Sequence, residues 1–320
     1  MILKIMLSAI IYSLLSSLVI AKSNHQQFED YLLTLQQKSI NAGISADVVN
    51  RHISEIKIFK KANRVNKESH TLETFIPLTI PEITVSTARA MLQQHELLLN
   101  KISQRYQVQP RFLMALWGVN SRFGEVPGDY PSLSVLASLA FKGDNETLYV
   151  NEFIAALKLI EQKHIPITLL RSSSTGAMGQ MQMMPSKILQ YAVDSDQDGQ
   201  IDIWNSNEDA FATAANMLLQ QGWQFDSTWG RQVKATMMLD PNLLGLDRTH
   251  TFSTWQAYGI RRFNGDDLPS RSDMSVSLIA PDGEKGRFYL VYNNFRLLHQ
   301  LTPSIHDTLA LTYLSEKIKQ

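Results

Sequence analysis

Cysteine is absent from the 320 residues. That excludes a disulfide framework, a thiolate metal site and a lipid-acceptor thiol behind an export signal. Net charge is absent as well, because 30 Lys and Arg balance 30 Asp and Glu. With no dense basic stripe, the electrostatic footprint of a nucleic-acid-binding protein is missing, and no nucleic-acid partner is expected. The eight histidines never fall into an HExxH pattern, no GxSxG elbow occurs, and no glycine-rich phosphate loop is present. Zinc-protease, serine-hydrolase and nucleotide chemistry therefore lack their usual residues. What remains is ordinary globular composition, 44% hydrophobic and 19% charged, in a chain long enough to bury a substantial core.

The first 23 residues stand apart. Lys4 precedes an apolar run from Ile5 to Ile20, and Ala21 and Ser23 supply small residues. This is the layout of a secretory signal peptide, ending at residue 21 or 23. An uncleaved membrane anchor is the alternative, since the apolar run falls only just short of a comfortable span.

Beyond it the chain reads as mainly helical. Phe28, Tyr31, Leu32 and Leu35 recur at helical spacing up to Gly43, and Ser45 is placed to cap a second helix through Val49, Ile53 and Ile56. TFIPLTIPE, with Pro77 and Pro81, predicts an extended spacer. A long helix is expected from Val85 to Tyr106. Pro110 then opens another through FLMALWGV. Further helices are expected near 132–141, 146–164, 185–192, 208–222, 252–259 and 303–318. Only residues 275–292 read as sheet, a β-hairpin of SVSLIA and RFYLVY around PDGEKG.

Three stretches carry candidate chemistry. GVNSRFG, residues 118–124, ends the apolar FLMALW helix and offers Asn120, an amide that binds but does not titrate near neutral pH. DSDQDGQIDIWN, residues 194–205, has Asp194, Asp196 and Asp198 at alternating positions, then Gly199, Gln200 with its carbonyl, and Asp202. That is the oxygen spacing of an EF-hand-like calcium loop, except that Asn205 stands where a bidentate Glu is usual. Asp209 is placed to close the shell. A solvated acidic turn is the plain alternative.

SSSTGAMGQMQMMPS, residues 172–186, has Gly176 and Gly179 for close backbone approach, and uncharged Gln180 and Gln182 that suit sugar hydroxyls. The methionines there are expected in the core. Glu125, Asp129, Glu146 and Glu152 are the nearby carboxylates, and all four are expected at the solvated surface.

Together these segments resemble the B-type lytic murein transglycosylases over roughly residues 27–300. WGVNSRFG is similar to that family's helix-end motif, which ordinarily carries Glu after Gly-Val. PSLSVLASLAF, TGAMGQMQMMPS, the acidic loop with its following helix, and GRFYLVYNNF resemble its later segments. The resemblance implies a lysozyme-like α+β core, mainly α, with a small hairpin and an EF-hand-like calcium loop. It divides the chain into residues 1–23 as signal peptide, 24–106 as N-terminal helical region, 107–225 as the lysozyme-like core, and 226–320 as a C-terminal region completing the cleft.

The activity implied is cleavage of the β-1,4 bond between N-acetylmuramic acid and N-acetylglucosamine, giving 1,6-anhydro products in the periplasm. A single Glu does the proton work in that family, and its position here is Asn120. Ser173, Gln182, Tyr292 and Asn294 match cleft residues. Structural Ca2+ would be held by Asp194, Asp196, Asp198, Gln200 and Asp209. The implied partners of a monomer are peptidoglycan glycan strands and other cell-wall proteins. A second departure follows the YNNF segment, at Leu301, Thr302, Ser304, Asp307 and Thr308. Two readings stay open: an enzyme with a substitute acid, for which Glu125 is the candidate, or a catalytically silent glycan-binding or scaffolding member.

Overall fold

The computed structural model describes residues 24–61, 70–271 and 273–319. The signal-peptide expectation lies outside these. The described residues fall into two compact units, one up to Ile58 and one from Phe59 onward. In the first, α1 (Asn24–Asn41) pairs with α2 (Ala46–Ile53). Phe28, Leu35 and Val49 are buried, and Ser45 caps α2 by accepting from the Val48 N–H.

The second unit is mainly helical, as the sequence predicts. Its helices begin with α3 (Leu72–Thr79), α4 (Glu82–Gln94), α5 (Glu96–Tyr106) and α6 (Pro110–Ser121). After them come α7 (Ser132–Lys142), α8 (Glu146–Lys163), α9 (Pro185–Tyr191) and α10 (Asn207–Gln220). The C-terminal part adds α11 (Phe252–Ala257), α12 (Asn293–His299) and α13 (Ile305–Lys317). Helix α6 is apolar all round, and every residue from Phe112 to Gly118 is buried. A helix of that kind belongs in the centre, and α4, α5, α10 and α13 surround it.

Two expectations in this region are corrected. The TFIPLTIPE stretch is not a spacer, because α3 runs through Pro77. Pro77 lacks a helical N–H, but burial of Leu72 and Ile76 and the bond from Leu72 N–H to Asp282 Oδ2 (2.9 Å) hold the helix anyway. The single helix expected over 85–106 is two, broken at His95, whose ring sits edge-on against Trp117 at 5.4 Å.

Sheet is more extensive than one hairpin. Strands β6 (Ser275–Ile279) and β7 (Phe288–Val291) do pair antiparallel, Leu278 facing Leu290. They are joined by β3 (Gly230–Ala235), β4 (Thr249–Thr251) and β5 (Ile260–Arg262) in the antiparallel order β4-β6-β7-β3-β5. Val233, Phe252, Trp255, Val276, Leu278 and Leu290 form the core of this sheet layer. The buried Trp255 indole donates to Val276 O at 2.9 Å. A short ribbon of β1 (Tyr130–Pro131) and β2 (Arg171–Ser172) lies before α7 and before the Gly/Gln segment. No helix among the described residues is long and apolar enough to cross a membrane.

Candidate functional site

The end of α6 is shaped by a left-handed run. Arg122, Phe123 and Gly124 all have positive φ, at 53°, 59° and 85°. Two such non-glycine residues in succession are costly and persist only where packing over-determines them. Here Phe123 stands edge-on to Trp117 at 5.7 Å. Its ring also lies so close over Gly118 that an added Cβ would meet ring carbons at 2.7 and 2.8 Å. Ser121 Oγ ties the turn by donating to Trp117 O and accepting from Gly124 N–H.

This turn presents Asn120, half-buried, towards two other parts of the chain. Its Nδ2 donates to Met181 O and to Leu301 O, both at 2.9 Å. Two carbonyl acceptors fix the amide's orientation, since the side-chain oxygen could not face either of them. Both amide protons are thus committed. Only Oδ1, an acceptor, is left for a ligand.

Met181 belongs to the Gly/Gln segment, which packs as a wall against α6. Gln180 is buried, and its Oε1 accepts from the Trp117 indole at 2.6 Å. Gln182 has a positive φ of 50°, and its Nε2 donates to Pro127 O (3.0 Å) and Gly179 O (2.9 Å), leaving Oε1 as acceptor. Ser173 is half-buried at the start of the same wall, with Oγ 2.9 Å from Thr175 Oγ1. Met181 and Met183 are core residues, as expected, and Met178 joins them, whereas Met184, also expected in the core, is only half-buried.

The wall is backed by the end of the acidic loop. Gln180 N–H donates to Ile203 O at 3.0 Å, the Ile203 side chain fills the space that a Cβ on Gly179 would need, and the Trp204 indole donates to Arg171 O. Upstream, Asp194, Asp196 and Asp209 each offer a carboxylate oxygen within 4.8 Å of the others. Asp194 Oδ1 is buried without a hydrogen-bond partner. Asp209 accepts from the N–H groups of Ser195 and Asp202. Burial above all pushes its carboxyl up from the ordinary value; those two N–H groups pull it down, and the charges of Asp196 and Asp194 raise it further.

An orphaned buried carboxylate oxygen among crowded like charges fits a hard cation with oxygen ligands. Asp198 is exposed, accepts from Gln200 N–H and is not in the cluster. Asp202, at position 9, instead accepts from Trp204 N–H and from the Asn205 backbone and side-chain amides.

The remaining site candidates are placed differently. Glu125 is exposed and lines a hollow with Leu78, Ile83, Arg122 and Phe123, which includes neither Ser173 nor Gln182. Tyr292 is buried; its hydroxyl accepts from Arg231 Nε at 2.5 Å, and burial raises its pKa above the ordinary tyrosine value, against the pull of the Arg231 charge. Asn294 is fully enclosed. It accepts from Gln224 N–H and donates to Gln224 O and Ser227 O, anchoring the loop between α10 and β3.

One surface expectation fails. Glu152 is buried, and it accepts from Ser186 N–H (2.8 Å) and Ser186 Oγ (2.7 Å) at the first turn of α9, where the helix end favours an anion. Sequence reasoning also missed the Trp117–Gln180 bond and both carbonyl partners of Asn120. Gln180 is one of the two candidate amides of the Gly/Gln segment and Trp117 closes the FLMALW run, but no spacing rule pairs them, and burial against the indole takes Gln180 away from a sugar.

The same architecture occurs in known proteins. SltB3 from Pseudomonas aeruginosa, solved in complex with NAG-anhNAM-pentapeptide, superposes with a TM-score of 0.80 at 30% identity, covering 92% of this chain and 80% of that one. Slt35 from Escherichia coli, solved in complex with calcium, gives a TM-score of 0.75 at 24% identity over 92% of this chain and 93% of that one. Membrane-bound lytic murein transglycosylase B from Escherichia coli (strain K12) is 28% identical over 228 residues, 70% of this chain. The matched part spans 61% of that relative's length. The motif resemblance and the lysozyme-like fold class are thereby borne out. Residues 27–316 match the Transglycosylase SLT domain, and the chain belongs to that family.

Proposed function

We propose that this protein binds peptidoglycan glycan strands in the periplasm after export, with strand cleavage weak or lost. The observation that carries this reading is the commitment of both Asn120 amide protons to backbone carbonyls, which leaves an acceptor where the family's chemistry needs a proton donor. Ser173 and the free Oε1 of Gln182 are the proposed sugar contacts. Asn120 Oδ1 accepts a hydroxyl or acetamido N–H beside them. Tyr292 and Asn294 support the site from within the fold. Loss of a general acid costs about 10²–10⁴-fold in rate without requiring any loss of binding.

Calcium belongs to the same proposal. The carboxylates of Asp194, Asp196 and Asp209 would hold it, with Asp198 and the Gln200 carbonyl as further ligands. The ion would neutralise the crowded charge behind the wall. Binding of a pentapeptide-bearing fragment by SltB3 and of calcium by Slt35 supports both readings.

The test is incubation of the monomeric chain from residue 24 onward with purified peptidoglycan, followed by sedimentation and muropeptide analysis. Co-sedimentation without 1,6-anhydro products is expected. Anhydro products that disappear in Glu125→Gln would instead establish a substitute acid.

A further inference from the structure

The sheet layer carries a second polar hollow, remote in sequence from Asn120 and the Gly/Gln wall. Its volume is about 610 Å3, and Gln232 and Lys234 of β3, Lys285 and Arg287 before β7, Phe263 after β5, and Glu73 of α3 line it. Three of these side chains are cationic and one is anionic. Glu73 is taken up by a two-pronged pair with Arg287, from Nε to Oε1 at 2.9 Å and from the neighbouring guanidinium nitrogen to Oε2. Lys234 and Lys285 have no anionic partner among the described residues. The hollow therefore keeps an unbalanced positive charge.

Phe263 lines the same hollow with 65% of its surface exposed. It is not on a loose loop. Arg262 N–H donates to Asp266 O and Gly265 N–H to Arg262 O, both at 2.8 Å, and the Asn264 amide donates to Asp266 at 2.7 Å. A large apolar ring is thus carried into water on an ordered turn, in the hollow that the two unpaired lysines also line. An aromatic face stacks on the apolar face of a sugar ring, Gln232 offers an uncharged amide, and the lysines take carboxylates as charge-assisted partners.

We propose that this hollow is a second contact point for the glycan strand, receiving the carboxylates of its peptide stems while Phe263 covers an adjoining sugar. The inference rests on the peptidoglycan reading above. It adds a class of recognised group that the Asn120 side of the molecule, which offers amides and hydroxyls, is not built to take. Two contacts on one strand raise overall affinity through effective concentration, provided one strand reaches both.

Calorimetric titration of the chain from residue 24 onward tests this with two probes: strands carrying NAG-NAM-pentapeptide units, and a neutral N-acetylglucosamine oligomer of equal length. The double variant Lys234→Ala/Lys285→Ala and the single variant Phe263→Ala should each bind pentapeptide strands about tenfold more weakly, with a shallower salt dependence for the lysine variant. Binding of the neutral oligomer should be unchanged in the lysine variant and weakened in Phe263→Ala, which loses its sugar contact. All three side chains are exposed, and thermal melting checks that the fold is kept. Unchanged affinity for the pentapeptide strands in both variants would overturn the hollow and leave the peptidoglycan reading intact. If the wild type binds neither probe, both readings fall. If it binds only the pentapeptide strands, and the lysine variant abolishes this, the hollow stands and the sugar site at Asn120 falls.

Discussion

Asn120 Nδ2 donates to the carbonyl of Leu301 at 2.9 Å, joining residues 181 positions apart in the chain. The other amide proton goes to Met181 O, so one side chain links α6, the Gly/Gln wall and the segment between α12 and α13. A carboxylate has no proton to give either carbonyl at neutral pH. The position is therefore built around an amide.

Replacing Asn120 with Asp keeps the side chain's size but sets a carboxylate against two carbonyl oxygens. The expected loss of stability is about 1–3 kcal/mol at pH 7, read from chemical or thermal unfolding. The native environment disfavours the charged form, so the introduced group's folded pKa lies above its unfolded value. The penalty is then present at neutral pH and shrinks as the pH falls through that folded pKa. A melting difference from wild type that stays constant between pH 7 and pH 4 would contradict this account.

Asn120→Glu is expected not to create an efficient transglycosylase. The longer acid meets the same two carbonyls, which are placed to accept from a donor rather than to sit against a carboxylate. Muropeptide analysis of the variant should show few or no 1,6-anhydro products. Abundant products would mean that only the acid had been missing.

Calcium should raise the melting temperature of the wild type and leave Asp194→Ala and Asp209→Asn unmoved. At about 100 times the dissociation constant the gain is roughly 2.7 kcal/mol, and a chelator should reverse it. An equal response of wild type and both variants would remove the acidic loop as the site.

Burial lowers the pKa of His299 from 6.5, while the charge of Asp307 and a bond to the Ser304 backbone act the other way. Burial also lowers that of His95. A depressed histidine favours the neutral ring, so its contribution to stability is complete above about pH 6.5 and is lost as the pH falls through the folded value. The variant His299→Gln should show a flatter fall in stability below pH 6.5. His299 Nδ1 lies 2.9 Å from Thr308 Oγ1, and that bond favours the uncharged ring when the hydroxyl donates.

Gln180→Leu leaves the buried Trp117 indole N–H without its acceptor. A cost of about 1–3 kcal/mol is expected, together with a shift in tryptophan emission. Gln180→Glu restores an acceptor and should recover part of the loss.

Much of this was legible before the structure. Helix α6 announces itself through an unbroken apolar run opened by Pro110, and the acidic loop through the alternation of Asp194, Asp196 and Asp198. Strands β3, β4 and β5 do not, because GRQVKA, THT and IRR are short and polar and become strands by pairing with neighbours distant in sequence. Pro77 misled because burial of Leu72 and Ile76 outweighs one missing helical bond. The grip on Asn120 was invisible for another reason. Its partners are main-chain carbonyls of Met181 and Leu301, and main-chain atoms leave no mark on residue identity.

Between Gly179 and Ile203 the chain leaves the wall, forms α9 and the acidic loop, and returns to the place it left, where Gln180 N–H meets Ile203 O. That segment is a purse closed by a drawstring, and its contour length is set. An extra residue between Gly199 and Ile203 would pull Ile203 off Gly179 and slacken the wall. The same residue added after Gly143, in the exposed connection between α7 and α8 that closes no such clasp, has room on the surface. Tolerance to insertion along this chain should therefore follow the clasp rather than the boundaries of helices.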